Sequence, residues 1–176
     1  MRSYLTIRRN NYSIYAAFIM WGILCTSCNF QPVPSDKTLL ENFQKNKSDY
    51  ADLVRLFTLN PSLQEVSARS LSPDDSDSLG ISKSDIMEYR QLCDRLEVQL
   101  LIKRGYKEIW LIKYDLHPFP PGGTYKGYAL LAEPPLDTAP DLDIYWERLK
   151  QGELTESVTV YRQINKNWYL FLDYDN

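Results

Sequence analysis

His117 is the single histidine of the sequence, and it stands two residues after Asp115. A histidine beside a carboxylate is the minimum equipment for general acid-base hydrolysis. One histidine alone excludes multi-histidine zinc sites and the HExxH metalloprotease pattern. No GxSxG elbow accompanies it. A hydrolase using His117 with Asp115 is therefore the catalytic option, set against a plain polar residue in the proline- and glycine-rich stretch DLHPFPPGGTYKGY.

Three other patterns invite chemistry and do not complete it. DDSDSLG, read from Asp75, puts aspartates at the first and third positions of a calcium loop and Gly80 at the sixth, but Leu79 and Ile86 fall where oxygen ligands are required. GGTYKG lacks the GxxxxGK[ST] order of a phosphate cradle. Asp141, Asp143 and Glu147 can share a face of a short helix near its start, where acids favour the helix dipole without any catalytic part. No metal or cofactor is expected.

The cysteines carry a stronger signal. Residues 1–27 divide into an arginine head (Arg2, Arg8, Arg9), an apolar run from Ile14 to Leu24 and a small-residue tail. This is the layout of a secretory signal. The run is shorter than the roughly 20 residues a spanning helix needs. The tail LCTSC resembles the lipobox of bacterial lipoproteins, in which the cysteine after small residues is acylated and the signal cut before it. Ser27 and Thr26 fit that pattern; Cys25 stands where the family prefers leucine. The resemblance implies cleavage before Cys28 and lipid attachment at Cys28. Cys93 would then be the only cysteine left without a lipid, read as a small buried hydrophobe on a helix stripe.

The elements that position these residues begin after a tether over 28–37, in which Pro32 and Pro34 favour an extended chain of about 30 Å. A single domain over 38–176 follows. With 44% hydrophobic and 24% charged residues, it has the composition of a globular protein. Removing 1–27 takes away three of the 20 basic residues and none of the 23 acidic ones, leaving a net charge near −6. Nucleic acid is thereby a poor partner.

Apolar residues from Leu39 to Phe57 recur at three- and four-residue steps and predict one helix from about Lys37 to Leu59, capped by Ser35 or Asp36 and stopped by Pro61. A second helix is predicted from about Ser82 to Leu96, with Ser82 as cap. LQEVSARS is a candidate short edge strand. Then VQLLI, KEIWLIKY, KGYALLAE, VTVYRQI and WYLFLDY read as strands, the first two joined through Gly105, with DLDIYWERLK a short helix between the third and fourth. The fold class is α+β: an antiparallel sheet of about five strands with two main helices on one face. ALL in the third strand and WYLFL in the last are apolar on both sides, so these strands are expected to be central, with both faces covered or one presenting aromatic surface.

The chain resembles small bacterial lipoproteins of no assigned activity, through the lipobox, Lys126–Ala129 (KGYA) and the closing stretch from Tyr161 to Asp175. That resemblance implies fold and location and no reaction. Aromatic residues gather in the C-terminal half, and Trp110, Tyr114 and Tyr125 with Lys126 are the candidate binding residues. The expectation is a lipid-anchored, non-catalytic binding protein of the cell envelope. Its partners would be the bilayer through acylated Cys28 and an envelope protein, peptide or glycan. It would sit outside the cytoplasmic membrane or at the outer membrane, and a structural protein without specific ligand is the further alternative.

Overall fold

The computed structural model describes residues 32–72, 80–105, 107–119 and 122–176, with the backbone alone of 116–119 and 122. Val33–Asn176 form one compact unit. The leader, Cys28 and the aspartates of DDSDSLG lie outside the described residues.

The chain opens with α1 (Asp36–Lys45) and α2 (Lys47–Leu59), where the sequence predicts a single helix. The break is at Asn46 (φ −116°), whose side-chain amide and backbone N–H both donate to the Asn42 carbonyl. A short amide side chain competing for backbone partners turns the helix without ending its hydrogen bonding. Two-residue strands β1 (Glu65–Val66) and β2 (Leu71–Ser72) follow, then α3 (Lys83–Leu96) with Ser82 accepting from the Asp85 N–H as the sequence predicts. Next come β3 (Leu100–Lys103), β4 (Glu108–Phe119), β5 (Gly122–Leu131), α4 (Leu142–Lys150), β6 (Val158–Gln163) and β7 (Trp168–Asp175).

The strands form one antiparallel sheet ordered β2-β1-β3-β4-β5-β7-β6. The α+β class holds. The sheet has seven strands rather than about five: β1 lies within LQEVSARS but is paired on both sides instead of forming an edge, and β2 is too short to show periodicity. β5 and β7 are central, as their two-sided apolar character implies.

Gly105 takes φ +71° in the β3–β4 turn, a conformation open to glycine without strain. His117 belongs by backbone to β4, not to a loop. The helices meet one sheet face: Leu39, Phe43, Tyr50, Leu53, Phe57 and Leu92 share a core with Leu111, Tyr128, Leu170 and Leu172. On the other face Trp110, Ile112, Tyr161, Tyr169 and Phe171 form a second buried cluster of strand residues. No helix among the described residues is long and apolar enough to cross a membrane.

Candidate functional site

The densest polar chemistry lies under the helices, where two helix starts meet. Asp36, first residue of α1, is 1% exposed, and its Oδ2 accepts from the Leu142 N–H at 2.8 Å and pairs with Arg162 Nη1 at 2.8 Å. In return, the Asp36 N–H donates to both carboxylate oxygens of Asp143, at 3.1 and 3.0 Å. Each helix thus has its opening N–H groups satisfied by an acid of the other helix, more than a hundred residues away in sequence. Asp141 caps its own helix by accepting from the Asp143 N–H at 2.8 Å.

Lys126 lies at the centre, wholly buried. Its Nζ is 2.6 Å from Asp143 Oδ1 and 2.8 Å from Asp36 Oδ1. The contact to Asp36 is ionic and off the hydrogen-bonding direction, since Oδ1 receives no directed bond. Burial pushes the Asp36 carboxyl upward, yet the Lys126 ammonium and the hydrogen bonds from Arg162 and Leu142 outweigh it and hold the group below its ordinary value. Asp36, Asp141 and Asp143 bring carboxylate oxygens close enough to ligate a cation. Lys126 and Arg162 already supply the positive charge those acids need, so the set fits an internal ion pair better than a metal.

The candidate residues of the sequence do not converge. Lys126 and Tyr114 belong to the helix-bearing side, Tyr114 buried with its ring edge-on to Trp146 at 6.4 Å. Trp110 lies on the other face, stacked on Phe171 at 4.2 Å, with the Arg104 guanidinium 4.3 Å over its ring and its indole N–H donating to Glu108. Tyr161 donates to the same carboxylate at 2.6 Å. Tyr125 and the exposed Asp115 are cross-strand neighbours on that face. The His117 side chain lies outside the described residues, so its pairing with Asp115 is not on view. Cys93 is buried, and burial with nearby Asp94 pushes its thiol up to about 12, the state of an inert core thiol.

An open cleft of about 760 Å³ sits at the end of the sheet formed by the β3–β4 turn, the end of β5 and the β6–β7 turn. Pro61, Ile109, Leu130 and Leu131 give it an apolar floor, with Lys107 and Asn167 at its rim. That size and lining suit a small ligand. Lys103, also in its wall, donates to the carbonyls of Asn60, Pro61 and Leu63 at 2.9, 3.2 and 2.7 Å, which closes the end of α2.

Two features escaped sequence reasoning. Asp36 read as a capping or tether residue, and the only available hint was a charged Lys126 and Arg162 inside otherwise apolar strands. The cleft is assembled from turns distant in sequence and leaves no local pattern. No family model matches the chain, and no curated protein or solved structure matches it.

Proposed function

We propose that this chain is a lipid-anchored protein of the bacterial envelope, held through acylated Cys28, whose α+β domain binds a partner rather than transforming one. The observation that carries the anchor is the order of features at the N-terminus: arginine head, apolar run, Thr26-Ser27-Cys28 and a short proline-bearing stretch. A first helix capped at Ser35, directly after the proline-bearing stretch, supports it. Two acyl chains, at about 0.8 kcal/mol per buried methylene, would confine such a domain to a bilayer.

Binding is favoured over catalysis by the state of the buried ionisable groups. Asp36 and Asp143 neutralise Lys126 and Arg162, and the cleft has an apolar floor of Pro61, Ile109, Leu130 and Leu131 bordered by polar side chains. The cleft is the candidate ligand site. Metabolic labelling with a palmitate analogue tests the anchor: wild type takes the label and Cys28→Ala does not. Equal labelling of the two proteins sinks the reading.

A further inference from the structure

We infer that the cleft takes a small anionic amphiphile, a carboxylate on an apolar body, with the anion beside Lys103 and the body on the floor of Ile109, Leu130 and Leu131. This rests on the reading of the cleft as the ligand site and adds the chemical class of its ligand.

The floor sets one half of that class. Pro61, Ile109, Leu130 and Leu131 present apolar surface in a space of about 760 Å³. Covering such surface is favourable whatever the shape of the apolar group, so the floor selects for an apolar body and not for a reaction.

Charge sets the other half. Lys103, Lys107 and Glu108 are the ionic side chains among the described residues that line the cleft. Lys107 is paired with Glu133. The Glu108 carboxylate is held toward the opposite sheet face, where it accepts from the Trp110 indole N–H and the Tyr161 hydroxyl. Lys103 has no carboxylate: among the described residues its partners are the carbonyls of Asn60, Pro61 and Leu63 and the Phe57 ring, 4.6 Å from its ammonium. The last turn of α2 holds no basic residue, so Lys103 supplies the cation at that helix end. A helix C-terminus carries only about half a negative charge, and the ammonium stays partly uncancelled. Burial without a counter-anion pushes Lys103 below its ordinary value, a cost that a neighbouring carboxylate removes.

Lys103 also has a hydrogen bond to exchange. Its bonds to Asn60 and Leu63, at 2.9 and 2.7 Å, are part-buried, whereas the bond to Pro61 is the longest at 3.2 Å and is exposed. A ligand carboxylate can take over that N–H, and a charge-assisted hydrogen bond is roughly twice as strong as the neutral one it replaces. The Pro61 carbonyl released by the exchange faces water, so no acceptor is left buried and unpaired. A cationic ligand meets the ammonium as a like charge, and a neutral one gains apolar contact alone.

The test compares phenylbutyrate with phenylbutanol, which share one apolar body, by equilibrium dialysis against the full-length protein in nonionic detergent at low salt, with protein-free micelles as blank. The acid is expected to bind about tenfold more tightly than the alcohol. Lys103→Gln, checked by its circular-dichroism melt, removes that preference. Asn167→Asp changes an exposed position at the rim; it weakens the acid several-fold through like charge and leaves the alcohol unchanged. If Lys103→Gln does not fold, Asn167→Asp decides alone. Equal binding of acid and alcohol by the wild type keeps the cleft as a ligand site and overturns the anion preference. Binding of neither overturns the cleft as a ligand site, and this inference with it. An acid preference that survives substitution in folded protein overturns the assignment to Lys103.

Discussion

Lys126 shows what one buried charge demands of its surroundings. Its ammonium is out of water, and among the described residues Asp36 and Asp143 compensate it. Removing one member of such a pair leaves the other uncompensated, which typically costs about 3–5 kcal/mol. Lys126→Met is therefore expected to lose about that much stability by urea denaturation, and a loss under about 1 kcal/mol would show the cluster to be solvated.

The two buried aspartates have opposite pH signatures. Asp36 titrates below its ordinary value, so its contribution is complete above about pH 4 and is lost as pH falls through the lowered value. Asp173 is raised, by burial first and then by Asp175 and Glu108, against the Thr159 hydrogen bond and Arg104. Its contribution is present in acid and is lost as pH rises past about 4. Asp173→Asn keeps an acceptor for Thr159 and is expected to be neutral or stabilising at pH 7 and without benefit at pH 3. Melting curves at both pH values decide this, and a variant less stable than wild type at pH 7 would contradict it.

Among the elements, those with a long apolar period were legible. The α3 stripe and its Ser82 cap, the β3–β4 turn at Gly105 and both last strands lie where spacing puts them. The Asn46 break was not legible, because the apolar period continues through it and only a local side-chain bond interrupts it. Nor was the irregularity in β4, where pairing to β5 shifts between Ile112 and Tyr114. Gly127 sits against that shift, and a Cβ there would lie 2.1 Å from the Leu111 carbonyl oxygen. The neighbour is backbone in a central strand and has little room to give. Gly127→Ala is expected to cost about 3 kcal/mol or more, read as loss of soluble protein or a lowered urea midpoint; wild-type stability would mean that the strands can separate there. Trp168 is half-buried and packs on Phe43 and Tyr50. Trp168→Ala should therefore cost about 3 kcal/mol, the low end for a truncated tryptophan.

At the scale of the whole molecule, the fold class was legible because strands gather in hairpins and helices do not alternate with them. The candidate site was legible only in pieces. Trp110 and Tyr125 fall on one sheet face and Tyr114 and Lys126 on the other, since side chains alternate along a strand and the β4 irregularity resets that alternation. The domain also begins earlier than residue 38: Asp36, expected in the tether, ties the first helix to β5, β6 and α4. The first helix thus starts on a buried ion cluster, and the proposed lipid attachment at Cys28 is the centre of the account. Mass spectrometry of the N-terminal peptide of the mature protein tests it most directly. The account predicts a peptide beginning at Cys28 and carrying a diacylglyceryl group on sulfur. An unmodified Cys28, or a mature N-terminus at any other residue, would contradict it.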